Sequence, residues 1–279
     1  MTDKLKGKVA VITGGGGGIG GEVALAMIAE GASVVINDIN KELADETIND
    51  IKKAGGKAAA NYDSVVTMAG GENIIKTAIS NFGRIDILVN CAGFLISAPA
   101  VEVKEKDWDD IIAVHLKGHF ACTQPAIKEM IKQKSGRIIN ISSRASFRFS
   151  WCELDSLPLA TAKAGVAGFT ALLSAELKQY GITVNAILPS AMTKKYPIKR
   201  PTFGGAESAT ADFVAPIIVY LATDEAKNIT GQYFYAGGGD ICIFTRPLQL
   251  EGANKFIRKM GKWTVDELNS VIPPLLESA

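Results

Sequence analysis

The run Lys8-Val-Ala-Val-Ile-Thr-Gly14-Gly-Gly-Gly-Gly18-Ile-Gly20 sets five consecutive glycines between a short apolar strand, Val9–Ile12, and a helix-forming stretch, Glu22–Glu30. Without Cβ atoms the backbone can turn sharply and bring its N–H groups against an anion. The helix that follows presents its positive end to the same anion. The chemistry this suits is the binding of a dinucleotide pyrophosphate. A flexible linker is the plain alternative, but linkers are not flanked by a strand and an amphipathic helix. Asp38 closes the next apolar run, Val34-Val-Ile-Asn-Asp38, eighteen residues beyond Gly20. A carboxylate there accepts hydrogen bonds from an adenosine ribose and repels a 2′-phosphate, so NAD is expected rather than NADP. A solvated aspartate at a strand end is the simpler reading of the same residue.

Further candidates are weaker. His115-x-x-x-His119 has the spacing of half a metal site on a helix, though two hydrogen-bonded helix histidines explain it equally, and no metal is expected. Lys194, Lys195, Lys199 and Arg200 form a basic run that suits either a solvated loop or the phosphates of coenzyme A. Cys91, Cys122, Cys152 and Cys242 show no C-x-x-C spacing, which points to a reduced, cytoplasmic setting, with Cys122 and Cys242 as small buried hydrophobes.

The elements that must position these residues alternate. Strand-length apolar runs recur at Val9–Ile12, Ser33–Asn37, Lys57–Asn61, Ile85–Asn90, Arg137–Ile141, Thr183–Leu188 and Gln232–Tyr235. Between them lie helical patterns at Lys41–Lys53, Thr67–Phe82, Trp108–Gln133 and Ala162–Tyr180. In the last of these, Val166, Phe169, Leu172, Leu173 and Leu177 read as one apolar stripe. This alternation predicts an α/β fold: a doubly wound, mostly parallel, seven-stranded Rossmann-type sheet with helices on both faces. A single domain is expected over 1–240, with an extension over 241–279 packed on it and a short helix near Thr264–Val271. The chain has 279 residues, 47% of them apolar, and a formal net charge of +1, which argues against nucleic-acid binding. No targeting signal or membrane span is expected. Two irregular segments, Arg144–Pro158 and Thr193–Ala211, follow strands directly, where ligands bind in such sheets.

Thr13-Gly-x-x-x-Gly18-Ile-Gly20, Asn61-Tyr-Asp-Ser64, Asn90-Cys-Ala-Gly93, Ile141-Ser-Ser143 and Lys163 follow one another as in the short-chain dehydrogenase/reductase family, which residues 5–240 resemble. Within that family, Gly56–Ser64, Phe82–Asp86, Asp107–Asp109, Val114–Gly118 and Lys262–Leu268 are similar to the 3-hydroxyacyl-CoA dehydrogenase part of the peroxisomal multifunctional enzymes of type 2. The resemblance implies that Gly14, Gly18, Ile19 and Gly20 meet the pyrophosphate and Asp38 the adenosine ribose. It places Asp63 and Ser64 at the adenine, and Asn90, Ala92 and Gly93 along the nicotinamide-side ribose, although a strand end and tight turn would also want Asn and Gly. Lys163 would bind that ribose, Thr193 would meet the carboxamide, and Ser143 would polarise the substrate oxygen. Ser190 stands where the family usually has glycine.

The family also uses a tyrosine four residues before the lysine, its pKa depressed by the ammonium, to move the proton that accompanies hydride transfer. Here that position is Leu159, and no tyrosine lies between Ser143 and Lys163. The preceding loop is longer than usual and carries Phe147, Phe149, Trp151, Cys152, Glu153 and Asp155. His115 occupies the family's supporting asparagine position and is the leading substitute, with His119, the loop residues, Lys163 itself or a held water as others. Two functions follow. One is an NAD(H)-dependent oxidoreductase interconverting a hydroxyl and a carbonyl on a small molecule or acyl-CoA. The other is an NAD-binding but catalytically silent subunit of an active paralogue. The resemblance implies a homo-oligomer, a dimer or tetramer, through the two long helices, or a hetero-oligomer with that paralogue.

Overall fold

The computed structural model describes residues 3–146, 156–193 and 210–244. The chain divides into two units at Thr245 and Arg246, and all of these residues belong to the first. The altered loop 147–155, the basic run at Lys194–Arg200, and the extension 245–279 with its expected helix lie outside the described residues.

Eight strands form one sheet in the order β3-β2-β1-β4-β5-β6-β7-β8. They are β1 Val9–Thr13, β2 Ser33–Asn37, β3 Lys57–Asn61, β4 Ile87–Asn90, β5 Gly136–Ile141, β6 Ile182–Pro189, β7 Tyr233–Gly237 and β8 Asp240–Phe244. The first seven are parallel and β8 is antiparallel to β7, so the expected count of seven is one short. β8 follows a two-residue turn in which Gly238 (φ 57°) and Gly239 (φ 90°) both adopt positive φ, the requirement of a tight primed hairpin.

Covered on both faces, the central strands are continuous apolar runs rather than alternating ones. Along β1, Ala10 and Ile12 pack into one layer with α1 (Gly18–Ala29), α2 (Lys41–Lys53) and α7 (Ala215–Ala222). Val9 and Val11 pack into the other with α3 (Met68–Phe82), α5 (Gly118–Gln133) and α6 (Leu157–Leu177). Asn40 and Thr67 cap α2 and α3, accepting hydrogen bonds from Leu43 N (2.9 Å) and Gly70 N (3.0 Å). By contrast α1 starts at Gly17 with no side-chain cap, which leaves its first amides to a ligand.

Two helices differ from expectation. Trp108–Gln133 is α4 (Glu105–Ile112), a π-turn (Ala113–Lys117) and α5, and such turns mark functional positions. Helix α6 begins at Leu157 instead of Ala162, and Leu172 of the expected stripe is exposed. Its buried face runs through Leu159, Lys163, Val166, Thr170, Ser174 and Leu177, a polar-bearing line at helical spacing. With its short extension to Tyr180, α6 is long and apolar enough to cross a membrane by length and composition alone; here it packs on β6 and α4.

Candidate active site

Chain order reverses between β1 and β4, and the site lies beyond the carboxyl ends of these strands. Thr13 Oγ1 ties the two ends together: it accepts from Cys91 N (3.0 Å) and Ala92 N (3.1 Å) and donates to Val89 O (3.4 Å). Gly14 (φ 67°) passes so close that a Cβ there would lie 2.8 Å from Ala92 Cα. A Cβ on Gly20 would lie 2.3 Å from Gly14 O. The glycine loop and the Cys91–Gly93 turn are therefore one cradle, closed to a side chain at Gly14 and Gly20 and opening on the uncapped end of α1. Thr193 joins it, its Cγ2 lying 3.4 Å from where a Gly18 Cβ would be. Ile19 is partly buried against the core.

Asp38 is fixed before any ligand arrives. Its Oδ2 accepts from Gly16 N (3.2 Å) and its Oδ1 from Asn40 N (3.0 Å). The remaining lone pairs can accept two ribose hydroxyls. Charge-assisted hydrogen bonds are each worth about 1.5–3 kcal/mol. Asp38→Ala is accordingly expected to weaken NADH binding about 10- to 100-fold and NADPH binding less. Calorimetric titration with both nucleotides checks this.

Asp63 has both carboxylate oxygens engaged, by Asn61 Nδ2 (2.9 Å) and Asn73 Nδ2 (3.3 Å). Asn37 Nδ2 donates to Asn61 Oδ1 (2.9 Å) and Asp63 O (2.8 Å), and Ser64 Oγ accepts from Val66 N (3.4 Å). Asn37 and Asn73, not singled out in the sequence, thus stiffen the turn expected at the adenine. The amides closing β2 and β3 were the available signal. Asn90 is buried, and its Nδ2 donates to Thr123 Oγ1 (2.9 Å) and Asn140 Oδ1 (2.9 Å). Its side chain fastens α5 to the sheet, leaving the backbone of the following turn to line the crevice.

At the catalytic end, Ser143 is half-buried and its Oγ accepts from Ala145 N (3.1 Å). Ser142 Oγ donates to Lys163 O (3.0 Å), joining the end of β5 to α6. Lys163 is only 4% exposed, and its Nζ donates to the Ile141 carbonyl. Burial pushes its pKa down to about 8. Cys91, beside it, is pushed up to about 11 by burial against the pull of the Lys163 charge, so its thiol is inert near neutrality.

Leu159, one turn before Lys163, is 8% exposed and packs with Ile111, Ala162, Phe94, Leu95, Ile96, Ile112 and Leu116. Leu159 is thus an apolar contact between α6, α4 and the loop after β4. His115, in the π-turn, has its Nε2 3.1 Å from Phe94 N and 2.7 Å from Phe94 O, so that nitrogen holds the loop. Arg144, unremarked in the sequence, is buried with its guanidinium 5.8 Å from the centre of the Tyr235 ring. Among the described residues no three His, Cys, Asp or Glu side chains gather into a cation site.

A short chain dehydrogenase profile matches residues 8–199. The chain belongs to that family. A crystal structure of a short-chain dehydrogenase from Mycobacterium avium superposes with a TM-score of 0.86 at 36% identity, covering 99% of this chain and 96% of that one. The hydroxy(phenyl)methylsuccinyl-CoA dehydrogenase subunit BbsD of Thauera aromatica is 37% identical over 84% of this chain and 97% of its own length. The 3-oxoacyl-(acyl-carrier-protein) reductase FabG of Thermotoga maritima is 37% identical over 85% of this chain and 98% of its own. The peroxisomal hydratase-dehydrogenase-epimerase of Neurospora crassa is 38% identical over 86% of this chain, which spans 27% of that protein. The chain is thus an oxidoreductase of the short-chain dehydrogenase family, whose relatives are named for acyl-CoA and oxoacyl chemistry.

Proposed function

We propose that the chain binds NAD(H) and interconverts a hydroxyl and a carbonyl on a hydroxyacyl-CoA or small carbonyl compound, with Lys163 moving the proton that the family's tyrosine moves elsewhere. The observation that carries this is a buried Leu159 beside a buried Lys163 whose pKa lies near 8. The residues fit the cofactor: a cradle closed to a Cβ at Gly14 and Gly20, an uncapped helix end and a carboxylate already fixed for a ribose. When bound, the nicotinamide gives or takes the hydride. Ser143 Oγ donates a hydrogen bond to the substrate oxygen. Lys163 Nζ gives that oxygen a proton in reduction and takes one in oxidation, which an amine with a pKa near working pH does in both directions. Free thiols at Cys91, Cys122 and Cys242 suit a reducing, cytoplasmic setting.

NADH consumption against a panel of ketones and oxoacyl-CoA esters tests the reading. Ser143→Ala is expected to lower the rate about 10²–10³-fold, the usual loss for a donor aimed at a developing oxyanion. An unchanged rate would remove Ser143 from the site. The seating of Leu159 also favours a second reading, a cofactor-binding subunit that supports an active paralogue, and BbsD is itself named as a subunit. Phe120 and Leu172, exposed on α5 and α6, offer apolar contacts to such a partner or to a second copy. Intact NADH binding with no turnover of any substrate would select that reading.

A further inference from the structure

His115 is 5% exposed and sits in the π-turn between α4 and α5, where Gly118 N bonds back five residues to Ala113 O. The three heavy atoms nearest to a Cβ built on Gly93 all belong to its ring: Cε1 at 2.4 Å, Nδ1 at 3.0 Å and Nε2 at 3.2 Å. Gly93 does not have the positive φ that would itself call for glycine. The imidazole, not the backbone, therefore excludes a side chain at 93, and the two residues are a matched pair. The same ring fastens the next residue. Its Nε2 lies 2.7 Å from Phe94 O and 3.1 Å from Phe94 N, and the Phe94 ring packs tilted on it with centroids 5.9 Å apart. One nitrogen cannot donate to the carbonyl and accept from the amide together. The shorter contact assigns the proton to Nε2, donating to Phe94 O. Further along the loop, Ser156 Oγ donates to Ile96 O (2.7 Å), so the loop after β4 is held from two sides.

A proton committed to Phe94 O is not one offered to a substrate. We infer that His115 is a positioning residue and not the substitute proton donor: its ring sets the Gly93–Phe94 turn, and with it the backbone that meets the nicotinamide-side ribose. A turn left unheld would have to be ordered when the cofactor binds, and that ordering lowers affinity. The inference rests on the reading of this turn as facing that ribose, so its test separates the two halves of the cofactor.

The test is calorimetric titration of the full chain and its variants with NADH and with ADP, which ends before the nicotinamide-side ribose. His115→Ala is expected to weaken NADH binding about tenfold and to leave ADP binding unchanged. His115→Gln, whose side-chain amide reaches about as far as Nε2, is expected to restore most of the loss. Gly93→Ala should weaken NADH binding in the unmodified chain, and less so in combination with His115→Ala, which removes the ring that the new Cβ strikes. Equal losses for NADH and ADP, or equal losses in His115→Ala and His115→Gln, would assign the effect to general packing and overturn the inference. So would a fall in turnover of about 10²–10⁴-fold in His115→Gln at unchanged NADH affinity, which would make the ring the proton donor. An unmodified chain that bound NADH no more tightly than ADP would remove the ribose reading instead. Melting temperatures would then decide the pairing: additive losses in Gly93→Ala and His115→Ala would overturn it, and a smaller combined loss would uphold it.

Discussion

Replacing Lys163 by methionine is expected to lower NADH-dependent carbonyl reduction about 10²–10⁴-fold, the usual loss on removing a positioned proton donor. The same change is expected to make the fold more stable at pH 7. Lys163 has an ordinary pKa of 10.5 and a folded value of about 8, so its burial in the charged form opposes folding. Converted at 1.36 kcal/mol per unit, that opposition is about 3 kcal/mol, an upper figure because methionine also forfeits the bond to Ile141 O. The opposition is complete below pH 8, where the ammonium is charged in both states. It fades between 8 and 10.5, where the folded protein has released the proton and the unfolded chain still holds it. Denaturant melts should therefore show the unmodified chain gaining stability on the variant across that interval. Parallel curves at every pH would show that Lys163 is not a strained, buried cation.

The second large effect lies inside the glycine run, where neighbouring positions should behave oppositely. A Cβ on Gly20 would stand 2.3 Å from Gly14 O and 2.9 Å from Gly14 C, both backbone atoms with nowhere to go. Overpacking of this kind costs about 1–3 kcal/mol and here also pushes open the cradle, so Gly20→Ala is expected to weaken NADH binding about 100-fold. At Gly17 the backbone is extended and a Cβ would meet nothing within 4 Å. Gly17→Ala should bind NADH within about threefold of the unmodified chain, since surface changes clear of neighbours shift free energies by about 0.5 kcal/mol. Calorimetric titration of the pair, with melting curves to confirm folding, decides the matter. Equal losses would mean that the run works through flexibility rather than close approach.

The parallel sheet was legible because strands buried on both faces are written as unbroken apolar runs, and β1 to β7 fall within two residues of those runs. The eighth strand was not. In Asp240-Ile-Cys-Ile-Phe244 the isoleucines point outward and Asp240, Cys242 and Phe244 are half-buried, which reverses the pattern that marks an edge strand. Its signal lay in the turn, Gly238-Gly239, rather than in the strand. Helix α6 misled in a related way: Ala162, Lys163, Thr170 and Ser174 face the core, while the larger Leu172 faces out. Small and polar residues there let the helix sit close to β6 and carry Lys163 inward.

For the candidate site, the close-packed glycine turn and the position of Asp38 at the end of β2 follow from residue types, because each depends on local geometry. The burial of Lys163 and its hydrogen bond to the Ile141 carbonyl do not. They bring together β5 and α6 across the segment between them, and no spacing within one element records such a contact.

The account stands on Lys163 acting as the proton donor that Leu159 cannot be. Its most direct test is the pH dependence of kcat/KM for NADH-dependent carbonyl reduction, which reports the ionisation of the free enzyme's essential groups. The rate should be level below pH 8 and fall about tenfold per unit above it, as the Lys163 ammonium loses its proton near that pH. A profile that runs flat through pH 8 to 10, or one that keeps the same limb in Lys163→Met, would contradict the account.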